Sequence, residues 1–444
     1  MVPSNISRRS QLKLLTSSLA FPFIARESWA QFSPNEVVNH AGFGGGGMAG
    51  TDLGQIKKHP RVKVRAIAEI DPKRRKRAEQ QFRGIKIYSD WRELLKKEGS
   101  SLDSVNISTP DHMHAVMGMT AMQKSIHIYG QKPLTHGIAE ARALTDFAKK
   151  TKLVTQMGIQ IHSYKEYKTA VNIVHSGMIG KIKEAHLFSN KRWGDSNIKP
   201  TRKDPVPTGL NWDQWVGPAP FTEFIKGYYH PGQWRKRLDY GTGTFGDMGC
   251  HIYDPIFKAL GLTYPNSVHS EGPPPNQDNW GLDSKIHYRF PQTQFSVGKE
   301  LSVTWYDGFT RPPEKIIDLL EGQKCPSQGS IVIGTKGVML LPHVGMPSLY
   351  PSNDFSASSI KVLNGENHWH QFIDAICEEG KKPSANFDYA GPLTETVLLG
   401  GIATRFPHQT LYWKADSLSF EGNDQATDLV RRKYRKGWEV DGLG

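Results

Sequence analysis

Cysteine is scarce: Cys250, Cys325 and Cys377 are the three in 444 residues. Three widely spaced thiols build neither a disulfide framework nor a cysteine-ligated zinc cluster, and no metal ligand set is expected. Long apolar runs are missing as well. No stretch reaches the ~18 apolar residues of a spanning helix, which excludes a multi-spanning membrane protein and leaves no membrane partner to expect. Internal repeats and low-complexity tracts are absent too. Acidic residues fall short of basic ones, 43 against 56, for a net charge of +13. Part of that excess sits in the first thirty residues, where Arg8, Arg9, Lys13 and Arg26 face Glu27 alone. The rest is spread along the chain. Lys73-Arg74-Arg75-Lys76-Arg77 falls in a helical stretch and reads as a solvated face. With no nucleic-acid motif beside it, no nucleic-acid partner is expected. What the chain does have is 11 Trp and 10% aromatics, which excludes wholesale disorder. Its length suffices for two domains, each with a core.

The N-terminus carries the marks of an export signal. Ser7-Arg8-Arg9-Ser10-Gln11-Leu12-Lys13 resembles a twin-arginine motif, with Gln11 where a large apolar residue is usual. Apolar residues dominate 14–25, and Ser28-Trp29-Ala30 offers a small-x-small cleavage site before Gln31. A leader over residues 1–30 is therefore expected. It implies an exported bacterial protein, periplasmic or secreted, that crosses the membrane already folded.

Between residues 36 and 158 apolar runs alternate with amphipathic stretches. Strands are predicted at 37–41, 62–70, 85–88, 104–108, 126–129 and 153–158, with helices such as 73–82 and 90–97 between them. This alternation predicts an α/β fold, a parallel sheet with helices on both faces, forming one dinucleotide-binding domain of Rossmann type over 31–160. After Ser163 the pattern changes. A helix is predicted at 164–176 and a strand at 182–190. A Trp-, Tyr-, Pro- and Gly-rich region follows to 246. Further strands are predicted at 284–290, 294–306 and 330–341, and helices at 366–380 and 393–403. Residues 161–444 thus read as a second, α+β domain.

Gly42-Phe43-Gly44-Gly45-Gly46-Gly47 follows the first strand and fits G-x-G-x-x-G through Gly42, Gly44 and Gly47. Gly42 permits the tight turn, Gly44 lets the backbone approach a pyrophosphate, and Gly47 lets the helix lie near the sheet. The helix N-terminus then faces the phosphates with unpaired N–H groups. Asp71, in Ala68-Glu69-Ile70-Asp71-Pro72, closes the second predicted strand, 24 residues past Gly47. A carboxylate there accepts hydrogen bonds from an adenosine ribose and repels a 2′-phosphate, which favours NAD. Lys73 and Arg74 beside it leave NADP open.

Three more segments carry chemistry. Thr109-Pro110-Asp111-His112-Met113-His114 and Tyr129-Gly130-Gln131-Lys132-Pro133-Leu134 follow the fourth and fifth strands, where open α/β sheets bind ligands. Gly246-Asp247-Met248-Gly249-Cys250-His251 lies far downstream. On a helix, Asp247 and His251 share one face. His251 can take a hydroxyl proton as hydride leaves carbon, while Lys132 stabilises the oxyanion. Asp247 would hold a neighbouring hydroxyl or orient His251. Plainer roles stand beside these: Asp247 as a helix cap, His251 as a core residue, Lys132 as a surface lysine. Tyr228-Tyr229-His230-Pro231-Gly232-Gln233-Trp234-Arg235 offers aromatic faces and donors for a sugar ring, or a loop packed by its own aromatics. Trp212, Trp215 and Cys250 are assigned to packing.

With Asn367-His368-Trp369-His370 near the end, this set resembles the Gfo/Idh/MocA family, named for glucose–fructose oxidoreductase, inositol dehydrogenase and a rhizopine catabolism protein. The resemblance implies a nicotinamide cofactor on the first domain, NAD or else NADP. It also implies a large open mixed or antiparallel sheet in the second domain and a carbohydrate in the cleft between the two. A homodimer or homotetramer is implied as well. Lys132 matches the family's Glu-Lys-Pro lysine, and Asp247 and His251 match its Asp-x-x-x-His pair, the catalytic set. Cofactor contacts are implied for Gly42, Gly44, Gly47, Met48, Asp71, Thr109, Pro110, His112, His114, Gln131, Lys132, Gln160, Trp234 and Arg235. Substrate contacts are implied for Tyr229, His230, Trp234 and Arg235, together with the catalytic three. Gln131 stands where the family carries glutamate, so an amide is expected beside the Lys132 ammonium. The expected function is an NAD(P)-dependent oxidation of a hydroxyl on a sugar, glycoside or polyol. Its rivals are a redox-neutral, NAD-dependent glycoside hydrolase and a non-catalytic sugar sensor.

Overall fold

The computed structural model of the chain describes residues 36–443. The expected leader lies outside them. Six parallel strands open the fold: β1 (Val38–Phe43), β2 (Val62–Ala68), β3 (Lys86–Tyr88), β4 (Ser104–Ile107), β5 (His127–Gln131) and β6 (Thr155–Gly158). Their order is β3-β2-β1-β4-β5-β6, a doubly wound sheet with its crossover beside β1 and β4. Helices α1 (Met48–Ile56), α2 (Pro72–Gln81), α3 (Trp91–Glu98), α4 (His114–Met122) and α5 (Ile138–Thr151) connect them. Local sequence starts these helices. Asp71 caps α2, with Pro72 at its first position, and Asp90 caps α3 by accepting from the Arg92 N–H at 2.8 Å.

The second half builds α6 (Lys165–His175), β7 (Ile182–Ser189) and α7 (Gly243–Leu260). Strands β8 (Ser267–Glu271), β9 (Lys285–Pro291), β10 (Glu300–Asp307), β11 (Gln328–Gly334), β12 (Val338–Pro342) and β13 (Ser348–Tyr350) follow. Then come α8 (His368–Cys377), α9 (Phe387–Ala403), β14 (Thr410–Lys414) and β15 (Ser419–Phe420). Nine strands form one mixed sheet in the order β13-β12-β11-β7-β10-β9-β8-β14-β15, and most neighbours run antiparallel. The strand predicted at 330–341 is in fact a hairpin. Gly334-Thr335-Lys336-Gly337 turns it, and the Gly334 N–H donates to the Gly337 carbonyl at 2.8 Å. Helix α9 begins six residues earlier than predicted and contains Pro392.

Two features bring the halves together. Helix α8 returns to the first domain, where the Trp369 indole N–H donates to Asp52 on α1 at 2.8 Å. Residues 191–242 form a mostly irregular insertion around an aromatic cluster, with Trp212 and Trp215 stacked at 4.6 Å. Ile70, just past β2, packs into that cluster. Among the described residues no helix is long and apolar enough to cross a membrane.

Candidate active site

The cradle for a dinucleotide is built by backbone. Gly44 sits at φ +99°, and a Cβ there would lie 2.8 Å from the Ser108 carbonyl oxygen, so only glycine fits. Gly47 at φ +59° precedes α1, which has no side-chain cap and no acid in its first turn. Its first N–H groups and positive dipole end therefore remain available to an anion. These residues fit a pyrophosphate.

The acid at the end of β2 is Glu69, which the sequence analysis passes over. Its Oε2 accepts from the Gly45 N–H at 2.9 Å and its Oε1 from the Asp71 N–H at 2.9 Å. Asp71 does not close the strand. It lies three residues beyond the end of β2 and caps α2, accepting from the Lys73 and Arg74 N–H groups at 2.8 and 3.2 Å. Its second oxygen meets His230 Nε2 at 2.6 Å. Burial works against the Asp71 charge, but His230 and the two backbone donors hold its carboxyl below the usual range. His230 is thereby tied to the loop that follows β2, at the nucleotide end of the first sheet.

Beneath the cradle runs a buried polar network. Asp52 takes the Gln131 amide N–H at 2.9 Å and the Ser108 hydroxyl at 2.8 Å, besides Trp369. Burial raises the Asp52 carboxyl, and these donors oppose the shift. The Gln131 amide is thus committed to Asp52, and its carbonyl meets only the Lys132 backbone N–H, at 3.3 Å. The expected amide beside the ammonium is not what the fold builds.

At the far end of the sheet Lys132 leaves β5 and reaches across to α7. Its Nζ donates to the Asp247 carboxylate at 2.8 Å and to the Asp247 carbonyl at 2.6 Å. Arg235 Nε joins the same carboxylate oxygen at 3.2 Å. Burial alone would raise the Asp247 carboxyl, yet the two cations hold it well below the usual range. Asp247 is therefore the anchor of Lys132 and Arg235. It is not a helix cap, since Thr242 holds that position. One turn along, His251 sits in the cleft with Nδ1 unpartnered. Burial, then Lys132, then His343 push its imidazole well below the ordinary 6.5. It is a neutral ring with an open nitrogen, and of its neighbours the Asp247 carboxylate favours its protonation.

His343 is missed by sequence reasoning. It follows β12, its ring lies 5.6 Å from that of His251, and its Nδ1 is 3.1 Å from the Tyr167 hydroxyl. Burial and the nearby lysines Lys132 and Lys191 bring it down to about 4.

Other expected contacts are spent elsewhere. His112 Nε2 meets the Trp215 carbonyl at 2.9 Å, and its ring packs on Tyr240. His114 meets the Thr109 and Pro133 carbonyls at 2.8 and 2.9 Å, tying the Thr109-Pro110 loop to the Lys132 loop. Both histidines tie backbone in place, and the second ring nitrogen of His112, Nδ1, is buried without a partner. Tyr229 is buried in the aromatic cluster with its hydroxyl 3.1 Å from Thr222, so it is packing rather than substrate contact. Trp234 is buried there too, with the Arg235 guanidinium 4.3 Å from its ring centroid. Met48 is exposed at the start of α1, and the Gln160 amide nitrogen is buried and unpartnered below the cradle. Cys250 is buried, which pushes its thiol up to about 12 and makes it inert.

The chain is similar to known proteins over both domains. The Gfo/Idh/MocA profile described as "Oxidoreductase family, NAD-binding Rossmann fold" matches residues 39–159. Its companion, "Oxidoreductase family, C-terminal alpha/beta domain", matches 166–297. The scyllo-inositol 2-dehydrogenase (NAD(+)) of Bacillus subtilis is 34% identical over 189 residues, 42% of this chain and 43% of its own length. Levoglucosan dehydrogenase of Pseudarthrobacter phenanthrenivorans is 29% identical over 196 residues, 44% of this chain and 42% of that enzyme. The alignments thus span less than half of either relative. A WlbA dehydrogenase from Chromobacterium violaceum, solved with NADH and UDP-GlcNAcA, shares the fold at a TM-score of 0.62 and 14% identity, over 86% of this chain and 98% of its own.

Proposed function

Because the chain belongs to the Gfo/Idh/MocA family of NAD-binding oxidoreductases, we propose that it oxidises a hydroxyl of a sugar, glycoside or polyol. One observation carries the reading: an ammonium from the first domain and an imidazole from the second meet around one carboxylate, Asp247. NAD, when bound, supplies the hydride acceptor. His251 takes the hydroxyl proton: its ring is uncharged before the step, and the Asp247 carboxylate favours the cation that forms. Lys132, held in place by Asp247, donates to the oxygen as negative charge develops there. Arg235, over Trp234 at 4.3 Å and over Trp193 at 5.5 Å, adds a donor beside aromatic faces on which a sugar ring can rest. The dehydrogenase relatives act on polyhydroxylated rings by name, which supports a carbohydrate substrate. The test is a panel of inositols, anhydrosugars, aldoses and aryl glycosides, with absorbance read at the reduced-nicotinamide band. Turnover of none of them would overturn the proposal.

His343 favours a second reading. A simple dehydrogenation needs one proton acceptor. Transient oxidation followed by loss of a glycosidic leaving group needs a further acid–base group, and a second imidazole stands 5.6 Å from the first. Aglycone release from an aryl glycoside without net cofactor reduction would select this reading. Export remains part of the proposal on the strength of residues 1–30, and a mature chain starting at Gln31 in the periplasmic or culture fraction is its test.

A further inference from the structure

The loops that follow β2 and β3 lie at the C-terminal edge of the first sheet, where the glycine cradle and Glu69 place the adenosine half of a dinucleotide. The second domain's insertion touches this edge at four places. His230 meets Asp71 at 2.6 Å. Arg75 donates to the Gly209 carbonyl at 3.1 Å. Gln214 donates to Asp90 at 2.7 Å. Ile70 packs into the aromatic cluster. The insertion is stiff behind these contacts. Trp212 and Trp215 stack at 4.6 Å, and the Arg237 guanidinium lies 3.4 Å from the Tyr228 ring centroid while binding Asp195 at 2.9 Å. Its far side is held by the chain's last residues, with Arg435 donating to the Gly217 carbonyl at 3.0 Å. Such a body cannot fold away piecemeal. To uncover the edge it must break the contacts along it together.

We infer that residues 209–241 form a roof over the adenosine half of the cofactor site, latched by His230 onto Asp71, so that release of the dinucleotide waits on the opening of this contact. The inference rests on the nucleotide site described above and adds a retention device to it. His230 is a positioning residue here, because it acts through Asp71. The latch is largely screened from solvent, with 15% and 16% of the two side chains exposed, so water competes with it poorly.

The full-length protein is loaded with NADH and mixed with excess NAD+, and the loss of bound-NADH fluorescence is timed. His230→Ala should release NADH about tenfold faster than the unaltered protein, the effect of losing one charge-assisted hydrogen bond. His230→Gln, which keeps a donor near the Nε2 position, should recover most of the slow release. His59→Ala removes the other His–carboxylate contact between the halves, the 3.0 Å pair with Asp374, and should leave release unchanged. Should His230→Ala fail to fold, Gln214→Ala at the Asp90 contact replaces it, with the same expected direction. Equal release rates in His230→Ala and the unaltered protein overturn the roof alone. So does equal acceleration by His59→Ala, which marks general loosening of the halves. Failure of the unaltered protein to bind NADH overturns the nucleotide site and the roof together.

Discussion

His251 owes its neutral state to its surroundings. Burial and the Lys132 cation together disfavour its charged form, and Asp247 opposes them only in part. Replacing Lys132 by Met should therefore raise the His251 pKa, which a proton-NMR titration of the histidine signals would read. An unmoved signal would remove the Coulombic argument. The same variant should lose about 10²- to 10³-fold in turnover, as expected when an oxyanion donor is deleted. Lys132, Asp247 and His251 were legible in the sequence because each sits in a short motif with its own spacing. His343 was not. It reaches the cleft only because the β11–β12 hairpin ends there, and no local pattern reports where a hairpin ends. Glu69 and Asp71 were exchanged for a similar reason. Two acids stand near the strand's end, and only the backbone shows that Glu69 closes it while Asp71 starts the next helix.

Elements built from local patterns were easy to read, and elements built from distant pairing were not. Strands β1, β4, β5 and β6 are buried on both faces, while β2 alternates with exposed Lys63 and Arg65 and β3 is a partly exposed edge strand placed by its spacing between helices. Strands β8, β13 and β14 are short and carry polar residues on one face, so nothing but their neighbours in the sheet defines them. Of the three glycines, Gly44 makes the close backbone approach expected of it, whereas Gly42 lies inside β1 instead of in the turn and a Cβ on Gly47 would touch nothing; the Gly44 geometry supports a prediction. Gly44→Ala would force a Cβ against the Ser108 carbonyl at a backbone angle that L-residues rarely adopt. It should cost about 1–3 kcal/mol of stability and abolish NADH binding. Thermal melting and a fluorescence titration with NADH check both parts. Binding at the original affinity would show that the cradle is not where the phosphates sit.

The whole molecule buries many imidazoles away from its chemistry. Burial lowers His40 to about 4, and His112 and His368 to about 3. In the unfolded chain these rings titrate near 6.5. Between 6.5 and those lower values the unfolded state binds more protons than the folded one, so stability falls as pH falls. Each such ring contributes a slope of up to about 1.4 kcal/mol per pH unit in that window. Melting temperature should be level above pH 7 and drop steeply from about pH 6 downward. A flat profile to pH 4 would show these rings protonating in place.

Residues 432–441 act on the first domain from far along the chain. Arg432 donates to the His112 carbonyl at 3.0 Å, and Gln123 on the first domain donates to the Asp441 carbonyl at 2.8 Å. The first domain is thus fastened by residues that lie 320 and 318 positions further along the chain. Removing residues 432–441 would leave the nucleotide domain without these two clasps, so the half that holds the cofactor is not finished by its own segment alone.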